Sequence, residues 1–272
     1  MMRALLETER EHFGMDTLAL KVVLTPTLVG TASLVGRRWG PAVSGWLVGL
    51  PLTSGPVAFF LALNQGGAFA AATAAGTLAG TISQAAFCLT YAWLAERRTW
   101  PLTMAAGCLA FAASTAALQH LALSALPLFL IVIATLAAAL RLMPDGFAAS
   151  SSASVVEPPR WDLAARMAVA TTLVVLLTGV APALGPRLTG LLTPFPLYAA
   201  ILAVFAHRLQ GPAAAVGVLR GLLLGLFAFA AFFLVLAMLL DRVGIASAFA
   251  GAILVALTVQ AGSLLVLRRT SG

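Results

Sequence analysis

Nine times between residues 17 and 267 the chain runs apolar for about the 20 residues that a helix needs to cross the hydrocarbon core of a bilayer. The runs cover 17–36, 41–63, 69–95, 101–119, 122–142, 163–182, 186–206, 213–240 and 244–267. In lipid each backbone polar group must be bonded within its own segment, so runs of this length fold as helices. The expectation is an all-α, polytopic membrane protein with nine transmembrane helices. Composition closes the alternatives. Of the 272 residues 61% are apolar and 9% charged, against about 25% charged in a soluble domain. Too few charges remain to solvate an outer surface, which excludes a soluble enzyme, a disordered chain and a disulfide scaffold.

The net charge of +7 does not point to nucleic acid, because the 16 basic residues are strung out as short pairs between the runs. Such pairs set topology in a membrane. With nine spans, 11 basic residues fall on one side (Arg37, Arg38, Arg97, Arg98, Arg141, Arg160, Arg166, Arg208, Arg220, Arg268 and Arg269) and 5 on the other (Arg3, Arg10, Lys21, Arg187 and Arg242). The positive-inside rule makes the first side cytoplasmic. The C-terminus is then inside and the N-terminus outside. Trp39, Trp93, Trp100 and Trp161 fall near cytoplasmic ends of spans, as an interfacial belt requires. The acidic stretch 1–16 reads as an extracytoplasmic tail and not as a signal peptide. Residues 143–161, rich in Ser, Ala and Pro, read as a flexible cytoplasmic linker.

An internal repeat organises the spans. At an offset of 145, with no gap, residues 18–116 lie over 163–261 with 31 of 99 pairs identical. Gly40-Pro41, Gly45 and Pro51 match Gly185-Pro186, Gly190 and Pro196, and Gln65-Gly66 matches Gln210-Gly211. This predicts repeat 1 at 17–121, a linking helix at 122–142 and repeat 2 at 162–268. Four spans return the chain to its starting side and the fifth carries it across, so the second repeat must be inverted: a 4+1+4 arrangement of the kind common in transporters. Charge agrees. Arg37 and Arg38 become Pro182 and Ala183, while Ala62, Leu63 and Ala75 become His207, Arg208 and Arg220.

Residues for chemistry are scarce. No Asp or Glu lies within a span, His12, His120 and His207 are scattered, and Cys88 and Cys108 lie inside apolar runs. No metal-ligand spacing, nucleophile–base pair or phosphate loop is present, so neither an enzyme, a metal site nor a cofactor is expected. What stands out is proline at mid-span. Span 2 carries Pro51, Thr53, Ser54, Gly55 and Pro56, and span 7 carries Pro194, Pro196 and Tyr198. Proline removes a backbone donor and clashes with the preceding turn, so both spans should be kinked or broken. Breaks at corresponding places in two inverted halves point to a solute pathway; the plainer alternative is an ordinary bend. Span 3 adds one face with Thr73, Thr77, Thr81, Gln84, Cys88 and Tyr91, read either as pathway lining or as hydrogen-bonding glue between helices. Arg220, Lys21 and Arg166 read as snorkelling cations, with Arg220 the one placed to draw in an anion. Gly76 and Gly80 in span 3, with Gly217, Gly221 and Gly225 in span 8, make small-residue faces at which spans 3 and 8 are expected to cross.

The stretch from Gly190 to Gly211, with Thr193-Pro-Phe-Pro196 and His207-Arg-Leu-Gln-Gly211, resembles the second helix of the GlpM-like family of small four-helix bacterial inner-membrane proteins. The likeness continues through Arg220-Gly221 and covers roughly 163–267. Repeat 1 departs from it, with Pro-Leu-Thr-Ser-Gly-Pro in place of the Pro-x-Phe-Pro run. The resemblance implies an inner-membrane location and a tandem inverted fusion of two such units, and it implies no substrate. Two functions follow as expectations: a transporter or channel for a small solute, or a non-transporting membrane scaffold. The partners expected are the lipid bilayer and an unnamed solute, with no nucleic acid; oligomer formation stays open.

Overall fold

Apolar runs without two-residue alternation fold as helices, and every element described in the computed structural model is helical. The structure describes residues 19, 21–27, 30, 50–121, 123–144 and 162–270, without the side chains of 162, 165, 166, 198 and 263–270. The helices are α1 (Ser54–Gln65), α2 (Gly67–Ala95), α3 (Trp100–Leu118), α4 (Ala125–Leu142), α5 (Asp162–Leu192), α6 (Leu197–Gln210), α7 (Pro212–Val243) and α8 (Ile245–Thr270). Residues 21–27 are helical as well. The tail 1–16, most of span 1, the first part of span 2 with Gly40, Pro41 and Gly45, and nearly all of the 143–161 linker lie outside the described residues.

Six helices are long and apolar enough to cross a membrane: α2, α3, α4, α7, residues Met167–Leu192 of α5 and Ile245–Gly262 of α8. Spans 2 and 7 are not continuous helices. Span 2 has no regular helix at 50–53, and α1 begins only at Ser54. Span 7 begins as the end of α5, beyond a kink at Gly185 (φ +74°), stops after Leu192 and restarts as α6. These interruptions leave α1 with 12 residues and α6 with 14, too short to span alone.

The joints repeat as well as the helices. α1 ends at Gln65 and α6 at Gln210; α2 starts at Gly67 and α7 at Pro212; α3 starts at Trp100 and α8 at Ile245. Each pair differs by the offset of 145. Between α1 and α2 the whole connection is Gly66 (φ +87°, ψ +167°), and between α6 and α7 it is Gly211 (φ +93°, ψ +176°). That backbone region is open essentially to glycine alone, which is why one residue can reverse the chain there.

α2 and α7 form the centre. Within their apolar windows 67% and 61% of residues are buried, against 22% in α3, α4 and α8. The α2–α7 contact is the most extensive of any two helices, and α4 lies against both. The outer helices turn Leu109, Leu130 and Leu254 outward, each at least 60% exposed (70%, 62% and 67%), as lipid-facing surfaces do.

Contacts at the helix ends set directions. Gly67, at the start of α2, lies against Leu240 and Asp241 at the end of α7. At the other end of α2, the Tyr91 hydroxyl is 3.3 Å from His207 Nδ1, and Trp93 Nε1 donates to the Leu142 carbonyl at 2.9 Å. The Arg208 guanidinium lies 5.6 Å over the Trp100 ring. α2 and α7 are therefore antiparallel, and the matched connections at Gly66 and Gly211 lie at opposite ends of the bundle. The end that holds Arg208 and Leu142 also carries Arg97, Arg98 and Arg141. The opposite end carries Arg187, which donates to the carbonyls of Leu118 and Leu121 and so closes the C-terminus of α3.

Candidate functional site

The two interruptions are built alike. In the first, the Leu52 N–H donates to the Leu50 carbonyl at 2.7 Å and the Gly55 N–H to the Pro51 carbonyl at 2.8 Å. In the second, the Leu197 N–H donates to the Phe195 carbonyl at 2.8 Å and the Ala200 N–H to the Pro196 carbonyl at 2.7 Å. All four residues of each set correspond at the offset of 145. The proline sits at the middle of a three-residue turn, and Pro196, at φ −81° and ψ +52°, has the inverse γ conformation. The ring explains the choice: it fixes φ near that value, and the nitrogen has no hydrogen to lose.

The interruptions meet. The Ser54 hydroxyl, in the first turn of α1, donates to the Thr193 carbonyl at 3.2 Å in buried surroundings. In an unbroken helix that carbonyl would accept from the Leu197 N–H, which is bonded to Phe195 instead. Ser54 thus satisfies an acceptor that the break at Pro194–Pro196 sets free. Ala199 stands at the position matched to Ser54, so the second half has no such hydroxyl. Neither α1 nor α6 has a side-chain cap on its N-terminus. Their first turns, Ser54–Gly55 and Ala199–Ala200, are buried.

α2 is pressed against this junction. A Cβ added to Gly76 would come within 2.8 Å of the Arg187 carbonyl oxygen and 3.0 Å of Gly190 Cα. One added to Gly80 would lie 2.5 Å from Pro194 Cγ and 2.7 Å from the Leu191 carbonyl oxygen. The expected crossing of spans 3 and 8 is present as the α2–α7 contact, but Gly76 and Gly80 serve a different neighbour: they admit the end of α5 and the second break. Gly217, Gly221 and Gly225 are buried along α7. Aromatic rings flank both breaks. Phe195 packs edge-on against Phe111 at 5.1 Å and Phe87 at 6.5 Å, and Phe232 touches Gly55.

The polar face of α2 uses its donors at home. Thr73, Thr77 and Thr81 donate to the carbonyls four residues back, Phe69, Thr73 and Thr77, at 2.9, 3.0 and 3.1 Å. The hydroxyl donors therefore serve α2 itself, and only their lone pairs remain for a neighbour. The buried interhelical bond from α2 comes from Ser83, whose hydroxyl accepts from Thr115 of α3 at 3.0 Å. Gln84, one turn beyond Gly80, is 6% exposed, and its Oε1 has no hydrogen-bond partner. Leaving such a group unpaired in a dry interior costs about 1–3 kcal/mol.

Of the other residues read from sequence, Pro51 and Thr53 are half-buried in the first break, Pro56 is buried in α1, and Pro194 and Pro196 are buried in the second. Arg220 is half-buried two turns into α7. The side chains of Tyr198 and Arg166 lie outside the described residues. Lys21 does not snorkel. It is 8% exposed, and its Nζ lies 5.4 Å over the Phe60 ring of α1. A desolvated cation–π contact is worth about 2 kcal/mol, less than the several kcal/mol that burying an ammonium costs. At the end of the bundle, desolvation lowers the His207 pKa below its ordinary value, so a neutral imidazole meets Tyr91. Cys88 and Cys108 are free thiols. Among the described residues no three His, Cys, Asp or Glu side chains are grouped to hold a metal.

No family model matches the chain, and neither a curated protein nor a solved structure matches it.

Proposed function

We propose that the protein is a transporter or channel that moves a small solute across a bacterial cytoplasmic membrane, between two inverted halves. The observation that carries this reading is the bond between Ser54 and the Thr193 carbonyl, which joins two helix interruptions occupying corresponding places in the repeat. Broken helices expose backbone groups that lipid cannot satisfy, so membrane proteins keep them inside the protein or along a water-filled cavity, and paired breaks in two inverted halves mark solute sites in transporters. In this reading residues 17–121 and 162–268 are repeats of opposite orientation, with 122–142 as the linking helix. The antiparallel course of α2 and α7 and the placement of Gly66 and Gly211 at opposite ends support that inversion. The arginines gathered at the Arg208 end make that end cytoplasmic, which sets the N-terminus outside and the C-terminus inside. The likeness of 163–267 to the GlpM-like family is in keeping with the inner membrane.

The pathway runs by the Pro51–Pro56 break, the Pro194–Tyr198 break and the Thr77–Gln84 face of α2, with Arg220 at its cytoplasmic approach. The test is flux. Purified protein in liposomes is expected to move at least one solute of a panel of small ions, weak acids and neutral polar molecules, and Gln84→Leu to reduce that flux. No movement of any solute, together with a stable co-purifying protein, would favour a scaffold instead.

A further inference from the structure

Two polar side chains in the helical stretch 21–27 are buried without, among the described residues, a partner that answers their chemistry. Lys21 is 8% exposed, and Thr25 is fully buried. They stand one helical turn apart, so they share a face. The carboxylates with described side chains, Glu96 and Asp241, are exposed at helix ends and do not neutralise Lys21. Thr25 breaks the habit of the other buried threonines. Thr73, Thr77, Thr81, Thr103, Thr178, Thr189 and Thr193 each donate to a carbonyl four residues back, and Thr115 donates to Ser83. Thr25 Oγ1 has no hydrogen-bond partner. An O–H that declines its local carbonyl, one turn from an ammonium that no described carboxylate faces, presents two donors to one acceptor-rich negative guest. Lys21 also packs on the Phe60 ring of α1.

We propose that Lys21 and Thr25 hold a small monovalent anion, matched in charge to one ammonium. The binding site stands on these two residues alone. That its anion is also the transported solute rests on the transport reading.

The test uses the purified full-length chain in neutral detergent. Its thermal midpoint is followed in rising sodium chloride, nitrate or formate, against sodium gluconate at equal ionic strength. At least one small anion is expected to raise the midpoint saturably above gluconate. Thr25→Val, which keeps the shape and removes the hydroxyl, is expected to weaken the apparent affinity about tenfold; Lys21→Met should abolish the response and Lys21→Arg retain it. The proposal is overturned if every anion behaves as gluconate, or if Thr25→Val and Lys21→Met respond as the parent does. Thr25→Val decides the matter should Lys21→Met fail to fold. Liposome flux separates the two readings. Saturable binding of an anion that no liposome transports overturns the transport reading and supports the site. Flux of a neutral solute with no anion response overturns the site and leaves transport standing.

Discussion

Gly190→Ala tests the packing of α2 against the second break. A Cβ at Gly190 would overlap the Thr73 carbonyl oxygen and approach Gly76 Cα to 2.7 Å and Gly76 C to 2.8 Å. All three are backbone atoms of α2, which cannot swing aside as a side-chain tip can, so the two helices must separate. Overpacking of this kind costs about 3 kcal/mol. Alanine returns about 1 kcal/mol of helix propensity, leaving a net loss of about 2 kcal/mol. In a chain of this size that lowers the thermal midpoint by about 5 °C. Gly179→Ala is the internal control: it lies in α5 before the kink at Gly185, and its new Cβ meets nothing within 4 Å. It should keep the stability or raise it by up to about 1 kcal/mol, read as an unchanged or higher midpoint. The assay is thermal unfolding of both variants in one detergent, alongside liposome flux. A Gly190→Ala midpoint at or above that of Gly179→Ala would refute the close approach and the position of the second break with it.

Ser54→Ala removes the donor that satisfies the Thr193 carbonyl, so it should cost about 1–3 kcal/mol, read as a lower midpoint. Gln84→Leu deletes a buried amide oxygen without a partner, so the midpoint should rise or hold while flux falls; a fall in both would make Gln84 a structural residue. Gly66→Ala and Gly211→Ala should each cost about 1–3 kcal/mol, read as a lower midpoint, although nothing lies within 4 Å of either added Cβ, because the strain comes from the backbone angle. Unequal losses of more than about twofold would argue against equivalent joints. Reporter fusions after residues 65, 120 and 242 should read outside and those after 98, 150 and 272 inside; fusions after 65 and 210 reading the same side would refute the inversion.

Which features were readable in advance follows from the range of the forces involved. Helix type depends on runs of apolar residues, and the interruptions at Pro51 and Pro196 depend on one missing N–H each, so both are local and visible in the chain. The one-residue joints at Gly66 and Gly211 announce themselves too, since a matched glycine beside a matched glutamine marks a helix end in both copies. Gly76 and Gly80 were legible as a close-packing face and not as to the neighbour they admit. The direction a helix face takes is fixed by everything around it, and here α5 arrives at that face while α7 packs beside it. The pairing of Ser83 with Thr115 left no periodic trace, because a single hydroxyl pair at a helix contact has no repeat to reveal it. Lys21 misled for a related reason: from sequence a cation near a span end has water within reach, whereas α1 folds Phe60 over it.

By itself the sequence determined that this chain is helical, that it is too apolar for water, that its halves are related by a fixed offset, and that two spans must break at proline. Hydrophobicity, backbone sterics and internal repetition are properties of short stretches, so no partner surface is needed to read them. Only the tertiary structure decided that the two breaks meet, that Ser54 satisfies the carbonyl freed at Thr193, and that Lys21 is buried on the Phe60 ring of α1. Those are contacts between residues far apart in the chain, and they exist only after α2 and α7 have packed and brought the outer helices to their places.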